Sequence, residues 1–175
     1  MSPDGLRTAI VILLDDLAPE VADARYELGN YGPNEVEFHV TLLFPFVPRD
    51  RVADAVLDSL RAFFAGRPRP SFALARVAAF AEGTIYASPE PAVPLVELIG
   101  ALAARFPDTP PYGGVHEEIV PHATLAYPAG DEGRVRARVQ PLLSAACEPA
   151  HASLIEEFEP CRWRELHRLP FAEGS

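Results

Sequence analysis

Thr8 to Leu14 is an unbroken apolar, β-branched run closed by Asp15-Asp16, which predicts a buried strand. Pro19 to Leu28 predicts a first helix with Pro19 in its opening turn. Gly29-Asn30-Tyr31-Gly32-Pro33 is dense turn chemistry, expected to form a mobile loop. From Glu37 to Phe44 the period drops to two. Phe38, Val40 and Leu42 then share one face of a strand, and His39 and Thr41 share the other. Asp50 suits an N-cap for a helix with Val52, Val56, Leu57, Leu60 and Phe63 at helical spacing, ended by Gly66. Ser71 to Phe80 and Thr84 to Ser88 predict two strands joined at Glu82-Gly83, and Val93 to Phe106 an amphipathic helix. The second half repeats the order: a Pro- and Gly-rich loop from Pro107 to Gly114, a strand from Ile119 to Tyr127, and a helix from Asp131 to Ala146 kinked at Pro141. Strands at Ala152 to Phe158 and Arg162 to Arg168 close the chain.

This pattern predicts an α+β fold with antiparallel sheets flanked by helices. A bilobal, pseudo-two-fold duplicated unit with a central cleft is expected, because the two halves match. At an offset of 83 residues, the stretch 38–60 aligns with 121–143 without a gap and with 8 identities in 23 positions. His39 pairs with His122, Thr41 with Thr124, Leu42 with Leu125 and Pro45 with Pro128. Beyond the motif, Arg51, Val52, Val56 and Leu60 pair with Arg134, Val135, Val139 and Leu143. One domain spanning residues 1–175 is expected, its two similar lobes carrying His39-x-Thr41 and His122-x-Thr124.

Charge narrows the partners. The formal net charge is −10, which argues against holding long nucleic acid by neutralising many phosphates. It leaves room for a small anionic ligand in a locally favourable cleft. All 15 basic residues are arginine. Without lysine there is no Walker A loop, no Schiff base and no nucleotide carried on a lysine amine. No apolar run approaches the ~20 residues of a membrane span, so no membrane partner is expected. The N-terminus Met1-Ser2-Pro3-Asp4-Gly5 lacks signal-peptide features, which predicts a cytoplasmic protein, and a monomer is expected. Cys147 and Cys161 are too few and too irregularly spaced for a disulfide framework or a zinc cluster.

On a strand, the imidazole and hydroxyl of His-x-Thr lie on one face, about 7 Å apart. Two such pairs across a cleft offer an acid, a base and two hydroxyl donors. In-line displacement at phosphorus needs that layout. A single histidine on an apolar strand reads as a packed residue; the matched pair with its threonines reads as a site. His116, His151 and His167 are expected to be structural or solvated. Arg51 and Arg134 are expected on solvated faces at helix starts. Tyr31, Tyr112, Tyr127 and Phe46 flank the motifs and are the candidates to hold a substrate, with the loop tyrosines favoured for stacking on a base. Two other readings stay open: a nucleotide-binding module without turnover, and a metallohydrolase with His39 and His122 as ligands. The second has little support, since no carboxylate stands at i+4 and no Cys/His cluster exists.

The strands His39-Val40-Thr41-Leu42-Leu43-Phe44 and His122-Ala123-Thr124-Leu125 resemble the two signature motifs of the 2H phosphoesterase superfamily. That superfamily includes 2′-5′ RNA ligase-like proteins and cyclic phosphodiesterases. The Pro110-Pro111-Tyr112-Gly113-Gly114 loop, the Val120-Pro121 lead-in and the closing strand around Trp163 extend the likeness to nearly the whole chain. The resemblance implies opening of 2′,3′-cyclic phosphates without metal or cofactor, usually to 2′-phosphates. It also implies reversible, ATP-independent ligation of 2′-5′ linkages in some members. The expected partner is a nucleotide or short RNA bearing either group. By analogy, His122 would activate water and His39 would protonate the leaving oxygen.

Overall fold

A computed structural model describes residues 6–31, 36–114 and 118–174. In chain order these residues form β1 (Thr8–Leu13), α1 (Pro19–Leu28), β2 (His39–Leu43), α2 (Asp54–Ala65), β3 (Phe72–Ala79) and β4 (Ile85–Glu90). There follow α3 (Val93–Arg105), β5 (Ala123–Ala126), α4 (Glu132–Val139), β6 (Ala145–Cys147), β7 (His151–Glu159) and β8 (Arg162–Pro170). The α+β class is as the pattern predicted. The antiparallel strands form one eight-stranded sheet, ordered β6-β3-β4-β5-β2-β1-β7-β8, where separate sheets were expected. Its centre is the pairing of β2 with β5 through Val40 opposite Ala123. No helix among the described residues is long and apolar enough to cross a membrane.

Period-two alternation sorts the sheet into two faces. Ile10, Ile12, Val40, Leu42, Ala123, Leu125 and Leu154 bury themselves with the apolar stripes of all four helices in one core. On the opposite face His39 lies beside Leu13 and Thr41 beside Val11, by the β1–β2 register. A smaller apolar cluster of Ala9, Val11 and Ile155, flanked by Leu13, Val36, Phe44 and Trp163, supports the first-motif end of that face. The motif residues thus stand on the side of the sheet that the helices leave open.

Several boundaries differ from the pattern. Asp50 does not cap α2: it sits in a 3₁₀ turn, Arg49–Arg51, and Ala53 precedes the helix without a side-chain cap. Pro48 starts that turn, with its carbonyl accepting from Arg51 N, and Arg49 is drawn away to Glu156 at 2.5 Å. Pro141 ends α4 rather than kinking it. Its ring blocks the carbonyl four residues back and it offers no N–H, so a 3₁₀ turn (Gln140–Leu142) follows. Residues 145–147 are thereby released to pair with β3 as β6. The strand expected from Ile119 begins only at Ala123, because Pro121 cannot donate to a ladder.

These shifts also confine the internal repeat. α2 begins at 54 and α4 at 132, which is 78 residues apart against 83 for the two histidines. Leu60 lies buried within α2, whereas Leu143 lies beyond the turn that follows α4. The identities at Arg51/Arg134 through Leu60/Leu143 therefore fall on different structural positions, and the likeness that counts is the motif strand itself. The loop expected at Gly29 to Pro33 is described only as far as Tyr31, and His116 also lies outside the described residues.

Candidate active site

β2 and β5 bring the two motifs together at the centre of the sheet. Carrying the Val40–Ala123 register one residue either way sets His39 beside Thr124 and Thr41 beside His122. Directly opposed side chains on adjacent antiparallel strands have Cβ atoms about 4.5–5.5 Å apart, and diagonal ones roughly 7–8 Å. The imidazoles therefore occupy opposite corners of a small square and the threonines the other two. Two ring nitrogens and two hydroxyls are thereby presented on one open face of the sheet.

The two rings are held by the same local device. His39 Nδ1 is 2.6 Å from the carbonyl of Glu37, and His122 Nδ1 is 2.8 Å from the carbonyl of Val120. A carbonyl can only accept, so Nδ1 is the protonated nitrogen in both. No bond to either Nε2 is made among the described residues, which leaves each able to take or give a proton.

Their wider surroundings differ. Burial pulls the His39 imidazole down to about 4, against the Glu37 bond and with the Arg25 and His122 charges adding to the fall. Burial lowers His122 too, opposed by the Val120 bond and by the Glu82 carboxylate. Phe80 meets the His122 ring edge-on at 5.0 Å and Tyr86 at 5.7 Å, and these two rings stack on each other at 4.3 Å. His122 is thus clamped by aromatic rings at the end of the β3–β4 hairpin.

Beneath the first motif lies Arg25, only 2% exposed. It reaches from α1 to donate from Nε to the Thr124 carbonyl at 3.1 Å and from Nη2 to the Val36 carbonyl at 3.3 Å. Its guanidinium lies over the rings of Tyr31 at 4.8 Å, Tyr26 at 5.2 Å and Phe38 at 5.7 Å. Among the described residues no carboxylate forms an ion pair with it, and Nη1 has no partner at all. The other deeply buried charges are matched: Glu156 by Arg49 and Arg164, Glu157 by Arg7. Burying an unmatched ion costs several kcal/mol. Two charge-assisted bonds and three ring faces, the latter worth about 0.5–2 kcal/mol each, offset that cost.

A cleft of about 520 Å³ opens against His122 and Thr124, walled further by Phe80, Glu82, Tyr112 and Tyr127. His39 and Thr41 are not in its wall; Tyr112 links the two sides, its phenol hydrogen-bonded to the Thr41 side chain and its N–H donating to the Phe44 carbonyl at 2.6 Å. Of the four residues expected to hold a substrate, Tyr112 and Tyr127 line the cleft. Tyr31 instead packs on Tyr26 and Arg25. Phe46 is buried in the core against Phe106, away from the cleft, because it follows the end of β2 on the helical side. His151 approaches Glu165 at 3.8 Å and His167 lies on β8, neither near the motifs. Arg51 belongs to the 3₁₀ turn and Arg134 to the first turn of α4, where its N–H is capped by Asp131. No group of three or more His, Cys, Asp or Glu side chains among the described residues is placed to hold a metal ion.

Arg25, Phe80, Glu82 and Tyr86 escape a motif-based reading. Arg25 carries one sequence signal: it is a charged residue on the buried stripe of α1, four after Val21 and three after Ala22. Tyr86 has another, since it alternates with Ile85 and Ala87 along β4 and pairs with Thr124 on the open face.

A family model described as the 2′-5′ RNA ligase superfamily matches residues 13–156. The fold is similar to that of E. coli LigT complexed with 3′-AMP, with a TM-score of 0.59 and 15% identity over 96% of this chain and 99% of that chain. LigT complexed with NADP+ gives a TM-score of 0.58 at 15% identity, over 97% and 99% of the two chains. A crystal structure of a phosphoesterase gives 0.59 at 15% identity, over 97% and 99%. No curated protein sequence matches the chain. At this identity the structural likeness is one of fold.

Proposed function

The chain belongs to the 2′-5′ RNA ligase superfamily, and from that premise we propose that it is a metal-independent phosphodiesterase. It opens 2′,3′-cyclic phosphates, or cleaves and re-forms 2′-5′ phosphodiester bonds, in a nucleotide or short RNA. The observation that carries this reading is the matched pair of imidazoles, each tied through Nδ1 to the carbonyl two residues back and each with Nε2 free. One neutral and one protonated ring suffice for displacement at phosphorus: the first takes a proton from the attacking oxygen and the second gives one to the departing oxygen. Thr41 and Thr124 donate to the phosphoryl oxygens on which charge develops. Tyr112 and Tyr127 offer faces for a base or ribose.

The cleft wall also bears on substrate size. It includes Glu82 and Glu118 and none of the chain's arginines. That favours a substrate with a single diester charge over a polyphosphate or a long strand. The test is multiple-turnover hydrolysis of 2′,3′-cyclic mononucleotides against RNAs ending in a 2′,3′-cyclic phosphate, compared at equal concentration. Turnover of the mononucleotides is expected. Stoichiometric binding of both without turnover would make the chain a nucleotide-binding module instead.

A further inference from the structure

The reaction as written makes no use of Arg25. It is nevertheless a buried guanidinium that forms no ion pair among the described residues and has one nitrogen without a partner there. Its position explains what it acts on. Nε holds the carbonyl of the motif residue Thr124, and Nη2 holds Val36, three residues ahead of His39, while the guanidinium covers the Phe38 ring. The cation therefore lies at the seam where β2 and β5 meet, under the first motif. The second motif has a charge of the opposite sign: Glu82, on the exposed β3–β4 turn, shares the cleft wall with His122.

We propose that Arg25 beneath the first motif and Glu82 beside the second divide the work of the pair, making His39 the base and His122 the acid. The division rests on the phosphodiesterase reading and is the reverse of the one the family resemblance implied. The charged groups acting on His39 are Arg25 from α1 and His122 across the sheet. On His122 the charged group is Glu82 from the β3–β4 turn. Burial lowers both rings, but the cation further disfavours a proton on His39 while the anion favours one on His122, so the one proton that the pair carries in the competent state sits on His122. In hydrolysis of a cyclic phosphate, His39 Nε2 takes a proton from water as the water oxygen bonds to phosphorus. The ring P–O bond then breaks, its electron pair staying on the leaving oxygen, which takes the proton from His122 Nε2. One water is consumed, and the proton on His39 returns to His122 through solvent. Arg25 is a positioning residue, because it acts through His39 and Thr124 without meeting the substrate.

Two measurements separate this division from its reverse. The limbs of a pH profile alone do not, since either arrangement of one proton on two rings titrates alike. The first measurement is NMR titration of both imidazoles in the folded, substrate-free chain. Arg25→Met should raise the His39 titration by about one pH unit and leave His122 in place, while Arg25→Lys stays near wild type. Glu82→Gln should lower His122 and leave His39 in place. If Arg25→Met fails to fold, Glu82→Gln on its exposed turn decides, and an unmoved His122 overturns the inference. The second measurement uses a nucleoside 4-nitrophenyl phosphodiester, whose leaving group needs no proton. It should restore most of the activity lost in His122→Ala and little of that lost in His39→Ala; the opposite rescue overturns the assignment. The NMR titration needs no turnover. A chain that titrates as described but hydrolyses nothing would refute the phosphodiesterase reading and the roles with it. An active chain whose rings ignore Arg25 and Glu82 would refute the inference alone.

Discussion

The two His-x-Thr segments are alike in sequence and in how each orients its ring, yet they stand in unlike surroundings. His39 begins a five-residue central strand and has a buried cation under it. His122 stands just ahead of a four-residue strand, edge-on to two aromatic rings and beside a carboxylate on an exposed turn. The difference comes from outside the repeat, from Arg25 on α1 and from the β3–β4 hairpin. A repeated motif delivers the same groups twice, and the elements that do not repeat give the two rings their unlike surroundings.

The most severe way to break the comparison is to delete either ring. His39→Ala and His122→Ala should each lower kcat/KM by about 10²–10⁴-fold with the fold intact by circular dichroism. The double variant should be little worse than either single one, since both act on one bond. A folded single variant with near-wild-type turnover would remove that histidine from the chemistry.

Milder losses should follow from the threonines. Thr41→Ala and Thr124→Ala each remove one donor to a charged phosphoryl group, about 1.5–3 kcal/mol, or roughly ten- to a hundredfold in kcat/KM. If urea unfolding moves and turnover does not, the hydroxyls serve the fold alone. Phe80→Ala sharpens the contrast more finely, because of the two motif histidines only His122 meets aromatic rings among the described residues. An aromatic pair is worth about 0.5–1.5 kcal/mol, so a loss of up to about tenfold is expected in kcat, with KM little changed. A change confined to KM would assign Phe80 to substrate contact instead.

A separate effect concerns stability rather than turnover. His39 is depressed to about 4 in the folded chain, whereas an unfolded imidazole titrates near about 6.5. As pH falls, the unfolded chain therefore binds this proton first. The stability that neutral His39 contributes is whole above about pH 6.5 and is lost as pH falls towards about 4. Urea midpoints measured between those values should slope less steeply in His39→Gln than in wild type. An unchanged slope would mean that His39 is not held neutral by the fold.

Much of this was legible in the chain. Period-two alternation around Val40 and Ala123 put both motifs on one face, and turn residues marked most of the strand and helix ends. What the pattern missed has physical causes. Proline decided two boundaries, at Pro121 and Pro141, because a missing N–H acts on hydrogen bonds that periodicity does not count. Phe46 looked like a flanking aromatic and proved to be core, because its side of the sheet depends on how the chain leaves β2. Arg25 and Glu82 lie 14 residues before the first histidine and 40 before the second, so only the folded sheet brings their charges to the rings.

The claim underlying all of this is that two protein imidazoles, without metal, open a cyclic phosphate. The direct test is to incubate the EDTA-treated chain with a 2′,3′-cyclic nucleoside monophosphate and follow phosphorus by ³¹P NMR. The account predicts catalytic conversion of the cyclic signal to a single phosphomonoester, undiminished by EDTA and absent with either histidine variant. No conversion, or conversion that stops in EDTA and returns with zinc or manganese, would contradict it.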